Sequence, residues 1–224
     1  MTFRVVIPVF DGVTQLDFTG PAQMFAKVPD LDLCIASKDA KPVETDSGFA
    51  VVAPYTFADC PAADLICVPG GGGVVDAITD PYFLSFVERQ CQQAHYVTSV
   101  CTGMFALGAL GLVKGRKVTT HWGYTDVIAE CGGVYTEGRV VVDGNLITAG
   151  GVTSGVDFSL TVISEVFGEE TARLIQLAMQ YNPQPPFESG HPSVAASETL
   201  MQANALYTER AQRMRETLQS VKRG

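Results

Sequence analysis

The stretch YVTSVCTGMFALGALGLVKG, Tyr96–Gly115, decides the fold. Residues His95–Val100 form a short apolar, β-branched run and read as a buried strand. Thr102–Leu110 reads as a helix. Cys101 stands at the junction. A strand that passes directly into a helix signals a parallel sheet with crossover helices. Two readings of Cys101 follow. Most free cysteines are small buried hydrophobes. A cysteine on a sharp strand-to-helix turn can instead be lifted above the sheet as a nucleophile. There the helix N-terminus and its free N–H groups favour thiolate. Gly103 would let backbone pass close.

The same alternation extends in both directions. Phe3–Phe10 is a continuous apolar run and reads as a buried strand. DGVTQLDFTGP reads as a loop, with Pro21 opening the helix PAQMFAKV. Leu31–Lys38 is a second strand, and PVETDSGFAVVAPYTF reads as a pair of small strands. ADLICVPGGGG is a third buried strand ending in a glycine-rich turn. Asp80 suits an N-cap ahead of Pro81 and the helix that follows. KVTTHWGYTDVIAECGG gives a short strand, then a helix closed by Gly132 and Gly133. VVVDGNLITAGG reads as a hairpin turning at Asp143-Gly144. TSGVDFSLTVISEVFG and EETARLIQLAMQY are helices, NPQPPFESGHPS is a connector, and the remainder is polar and helical. The expectation is one α/β domain over 1–187, with a mostly parallel sheet covered on both faces, and a C-terminal helical arm over 188–224.

Composition narrows the functions. Of 224 residues, 46% are apolar and 17% charged, so a sizeable core is available. The formal net charge is −9, and the one basic run is the terminal SVKRG. Nucleic acid and anionic membrane surfaces are poor partners for such a chain. There is no signal-peptide pattern and no apolar run near the ~20 residues of a membrane helix, so a cytoplasmic protein is expected. Six cysteines include no Cys-x-x-Cys pair and no zinc spacing, so free thiols and no metal are expected. Cys34, Cys67, Cys91 and Cys131 read as buried hydrophobes, and Cys60 sits in a loop.

Ligands of α/β sheets gather at the carboxyl ends of the strands. QLDFTGP, VPGGGG, SVCTG and TAGGVTSG should meet there. PGGGG, Pro69–Gly73, lacks the Lys-Ser/Thr of a phosphate loop. It is either a tight turn needing positive φ or an oxyanion hole, with the N–H of Gly71 or Gly72 and of Thr102 as donors. Asp17 is either a helix cap or a carboxyl buried near the thiol, with its pKa raised for proton exchange. Thr19 competes for the cap. His121 either approaches the thiol or makes a structural hydrogen bond; His95 and His191 read as surface or linker residues.

QLDFTGP, ICVPGGGG, SVCTG, TTHW and TAGGVTSGVDF, in that order, resemble the DJ-1/PfpI superfamily. Within it the pattern looks most like the bacterial isocyanide hydratases. The resemblance runs from the first strand to about Phe187. It implies a doubly wound, flavodoxin-like fold, a homodimer and no cofactor. It implies that Cys101 is the nucleophile, Asp17 its acidic partner, and Thr102 their neighbour. Gly150, Gly151 and Val152 match the segment that packs on the cysteine turn. PfpI-type proteases carry His directly after the cysteine, where this chain has Thr102. DJ-1-like glyoxalases carry Glu where this chain has Asp17. Related transcription regulators append a DNA-binding helical domain that is not expected here.

The reaction this resemblance implies is hydration of an isocyanide, R–NC, to an N-formamide through a thioimidate on Cys101. The alternatives are a thiol-based redox or ligand sensor on the same scaffold, or another cysteine-dependent hydrolase or glyoxalase-type enzyme.

Overall fold

A computed structural model describes residues 2–221. Lys222 and Arg223 of the basic terminus lie outside the described residues. Strand β1 is Phe3–Pro8 and helix α1 is Gln15–Phe25. Then follow β2 (Leu31–Ser37), β3 (Val43–Glu44), β4 (Ala50–Val51), β5 (Tyr55–Thr56) and β6 (Leu65–Val68). Helices α2 (Val74–Ala77) and α3 (Pro81–Gln93) lead to β7 (Tyr96–Val100). A 3₁₀ turn, Cys101–Gly103, opens α4 (Met104–Ala109). After β8 (Lys117–Val118) comes a 3₁₀ segment, Trp122–Cys131. Strands β9 (Val134–Tyr135), β10 (Val140–Asp143) and β11 (Leu146–Ala149) precede α5 (Ser154–Phe167), α6 (Glu169–Ala178) and α7 (Ser197–Val221).

The main sheet has seven strands in the order β10-β11-β7-β6-β1-β2-β5. All pair in parallel except β10, which forms the expected hairpin with β11. The run β2-β1-β6-β7-β11 is the 2-1-3-4-5 order of flavodoxin-like doubly wound sheets. Its period-two alternation sorts side chains into two cores. Val6, Ile66 and Val68 face α3, α4 and the end of α7, whereas Val5, Ile7, Leu65 and Cys67 face α1 and α5. The order reverses between β1 and β6, which opens a crevice beyond their carboxyl ends.

Tyr55–Thr56, read within a pair of small strands, is a third strand at the edge of the main sheet, α2 and β9 were not read from the sequence, and three elements nearer the site also differ. QLDF is not loop: α1 starts at Gln15, so Pro21 lies inside the helix and does not open it. Gly155 of α5 leaves room for the proline ring, since a Cβ there would sit 3.2 Å from Pro21 Cδ. The segment after Cys101 is a 3₁₀ turn and six-residue helix, not one continuous helix. Trp122–Cys131 is 3₁₀, with Gly132 in the left-handed region closing it as read. Asp80 caps α3 by accepting from Tyr82 N–H at 2.9 Å.

Helix α7 returns to the α/β body. It buries Ala211, Met214 and Leu218, and Arg215 pairs with Asp126 and Glu130 of the 3₁₀ segment.

Candidate active site

Strand β7 ends at Val100, and the chain turns sharply at Cys101, whose φ is +57°. That is strained backbone for a non-glycine residue. Two bonds hold it: Cys101 N–H donates to Gly150 O at 2.9 Å, and Thr120 Oγ1–H donates to Cys101 O at 2.7 Å. Gly103 is required immediately after, since a Cβ there would lie 2.1 Å from Val68 O. The result has the geometry of a nucleophile elbow, with Cys101 at the carboxyl end of β7. Cys101 is only 5% exposed.

Asp17 projects from the first turn of α1 and is fully buried. It caps no helix. Its Oδ2 accepts from Gly70 N–H at 3.0 Å, while Oδ1 makes no hydrogen bond of good geometry. The carboxyl and the Cys101 thiol interact as a pair. Burial pushes the Asp17 carboxyl up from 3.8 to about 7, against the opposing pull of the Gly70 N–H and the thiol. The raised carboxyl agrees with the sequence expectation.

At the resting site burial works against the thiolate that the turn's N–H groups favour. Burial, and then the Asp17 charge, push the Cys101 thiol well above its ordinary value. The N–H groups of Thr102 and Val152 act on the sulfur in the opposite sense. They are outweighed because the sulfur is dry and the helix behind it is short. Burial thus pushes both members of the pair up, the carboxyl to about 7.

The glycine turn holds the other wall. Gly70 cannot carry a side chain: a Cβ would lie 2.5 Å from Thr102 N and 2.8 Å from Asp17 Oδ2. Gly71, with φ of +139°, donates its N–H to Thr102 Oγ1 at 2.9 Å. That corrects the oxyanion reading of Gly71, whose donor is already engaged, and of Thr102, whose N–H serves the sulfur. Gly72 has open space beside its Cα.

His121 makes a structural bond, its Nδ1 accepting from Gly123 N–H at 3.1 Å. Burial lowers it to about 4, so the imidazole is neutral near pH 7. Its ring packs on Gly151, where a Cβ would lie 2.6 Å from Cδ2. A cavity of about 500 Å³ opens beside this ring and is lined by Thr120, Gly150, Gly151, Val152 and Ser154. Cys101 itself is not among its walls.

Tyr124 and Tyr207 escaped the sequence reading. Burial first, and an ionised Cys101 next, push both hydroxyls up. Tyr207 had a signal: it lies at helical spacing from Ala211, Met214 and Leu218. Of the other cysteines, Cys34, Cys60, Cys67 and Cys131 are buried and Cys91 is partly buried. Among the described residues no His/Cys/Asp/Glu group is placed to hold a metal ion. No described helix is long and apolar enough to cross a membrane.

A strained cysteine elbow, a buried carboxyl from α1 and a glycine turn on a 2-1-3-4-5 sheet define a class, and the chain belongs to the DJ-1/PfpI family, whose pattern matches residues 3–165. It is 45% identical over 203 residues to the isonitrile hydratase of Pseudomonas putida, covering 91% of this chain and 89% of that protein. A THiJ/PfpI family protein from Pseudomonas syringae superposes with a TM-score of 0.94 at 35% identity, covering 97% of this chain and 91% of that one. Oxidized DJ-1 from Toxoplasma gondii shares the fold, with a TM-score of 0.72 at 21% identity over 81% of this chain and all of its own.

Proposed function

We propose that the protein hydrates isocyanides to N-formamides, with Cys101 as nucleophile and Asp17 as proton carrier. The observation that carries this reading is the buried thiol–carboxyl pair, with the carboxyl at about 7. A general acid–base works best when its pKa lies near the working pH. The similarity to an isonitrile hydratase supports the choice of substrate.

The chemistry uses one proton repeatedly. Asp17, ionised, takes the thiol proton as sulfur attacks the terminal carbon of R–NC. It returns that proton to the same carbon, giving the thioimidate R–N=CH–S–Cys101. A water then adds to the carbon; Asp17 accepts one water proton and passes it to nitrogen. The tetrahedral R–NH–CH(OH)–S–Cys101 collapses, the C–S bond breaks, and the hydroxyl proton returns to sulfur. R–NH–CHO leaves. The covalent intermediate divides one difficult addition into two easier steps. The N–H groups of Thr102 and Val152 stabilise negative charge on sulfur as it leaves. The scheme draws on side chains and water alone, and on a neutral substrate that needs no charged clamp.

A thiol sensor would favour an accessible sulfur rich in thiolate. Cys101 is buried and its thiol is pushed up, which favours the enzymatic reading. The test is purified wild type and Cys101→Ala with an alkyl isocyanide, following formamide absorbance. Wild type should turn over, and Cys101→Ala should lose roughly a thousandfold or more with its circular dichroism unchanged. Stable oxidation of Cys101 without turnover would reject the proposal.

A further inference from the structure

Helix α7 lies beyond the part of the chain that matches the family pattern. It nonetheless packs on three segments that carry site residues or follow them directly. These are α2 after the glycine turn, α4 after the elbow, and the 3₁₀ segment Trp122–Cys131 after His121. Its buried stripe, Ala211, Met214 and Leu218, joins the same core as α4. Arg213 pairs with Asp76 of α2 at 2.8 Å, and Arg215 with Asp126 of the 3₁₀ segment at 2.7 Å.

One turn before Ala211, α7 carries Tyr207. Its ring centroid lies 4.7 Å from that of His121. Gly123 makes room for it, since a Cβ there would lie 2.6 Å from Tyr207 Cγ. The same His121 ring packs on Gly151, where a Cβ would lie 2.6 Å from His121 Cδ2. The residues that precede these two in the chain are the two that hold the cysteine turn. Thr120, before His121, donates its hydroxyl to Cys101 O at 2.7 Å. Gly150, before Gly151, accepts from Cys101 N–H at 2.9 Å. Printed contacts therefore run unbroken from α7 to the backbone of Cys101. That backbone sits at φ +57°. A non-glycine residue keeps such a conformation only while its surroundings fix it. Interiors are close-packed, so removing the Tyr207 ring leaves a gap into which His121 can relax.

We propose that Tyr207 is a positioning residue: its ring holds His121 on Gly151, and through Thr120 and Gly150 this packing keeps Cys101 in its strained turn. The effect on turnover rests on the hydratase reading; the hold on the elbow does not.

The test measures kcat and KM for an alkyl isocyanide. Separately, it measures the rate at which iodoacetamide alkylates Cys101, read on the Cys101 peptide. Tyr207→Leu keeps an apolar residue on the α7 stripe and removes the ring. It should lower kcat about tenfold and keep KM within about twofold, because the geometry of attack changes and binding does not. Alkylation should rise about threefold or more, since Cys101 is only 5% exposed while the turn is held. Tyr207→Phe keeps the ring and should hold both measures within about twofold of wild type. Gly123→Ala drives a methyl group into the Tyr207 ring. It should reproduce the Tyr207→Leu effects with α7 unaltered, and it decides the matter if Tyr207→Leu folds poorly. In His121→Leu, adding Tyr207→Leu should change kcat by less than about twofold; fully multiplied losses would overturn the path through His121. A purely structural Tyr207 would lower Tm and leave kcat per folded enzyme and alkylation at their wild-type values. An unchanged kcat or an unchanged alkylation rate in both Tyr207→Leu and Gly123→Ala overturns the proposal. If wild type turns over no isocyanide, the hydratase reading fails and alkylation alone decides on Tyr207. If turnover occurs and neither measure moves, the positioning role fails and the hydratase reading stands.

Discussion

The buried carboxyl of Asp17 should cost the protein stability as pH rises from about 4 to 7. Its folded value of about 7 lies above the 3.8 of an ordinary aspartate. Between those values the folded state keeps a proton that the unfolded chain gives up, so stability falls with rising pH. The contribution is fully present below 3.8 and lost once pH passes the folded value. The difference corresponds to about 4 kcal/mol. That is a large share of the ~5–15 kcal/mol that holds a typical domain folded. Asp17→Asn removes the titration and keeps an oxygen for the Gly70 N–H. The assay is urea unfolding of both proteins at pH 5, 6, 7 and 8. The exposed groups titrate alike in both and cancel in the difference. The advantage of Asp17→Asn should grow with pH, by about 0.9 M in urea midpoint over that range at an m-value of ~3 kcal/mol/M. Parallel curves, or a wild type that gains on the variant as pH rises, would refute the argument. The second result would mean that the Gly70 N–H and the thiol hold the carboxylate ionised despite its burial.

Other outcomes follow from the same geometry. Gly70→Ala drives a methyl group into Thr102 N and Asp17 Oδ2 and should cut kcat/KM by about a hundredfold, measured by formamide formation. Thr102→Val removes the acceptor for Gly71 N–H and should cost about 1–2 kcal/mol in denaturant unfolding. Gly103→Ala meets Val68 O and should lower Tm more than Gly72→Ala, which meets nothing, in parallel thermal scans. His121→Gln should leave an inflection near pH 7 in the rate profile, because that inflection belongs to the Asp17–Cys101 pair and His121 titrates near 4.

The sheet was legible because each of its main strands is short, apolar and bounded by turn residues. Phe3–Pro8, Leu31–Ser37, Leu65–Val68 and Tyr96–Val100 all fall within the runs read as strands. The elbow was legible from Cys101 alone at a strand end. The start of α1 was not, because Pro21 is normally a boundary signal and here lies inside the helix. That error placed Asp17 in a loop, yet left it in the right crevice. The protonation of the pair was half legible. A buried carboxyl is expected to rise, but the balance at sulfur depends on dryness and on N–H groups from Thr102 and Val152, the latter fifty-one residues away in sequence. Tyr207 was missed because α7 follows a proline-rich connector, and a polar helix there reads as an appendage until its apolar stripe is traced to the core.

The central claim is that Cys101 bonds covalently to the substrate carbon during hydration. The most direct measurement is mass spectrometry of enzyme acid-quenched during turnover of an isocyanide. A thioimidate adds the whole mass of the isocyanide, since the thiol proton moves to carbon and nothing is lost. The account predicts that mass increase on the peptide carrying Cys101 of the wild type, and its loss in Asp17→Asn, which lacks the carboxyl that carries the thiol proton to carbon. Turnover that proceeds with Cys101 unmodified in the wild type, or that survives in Cys101→Ala, would contradict it.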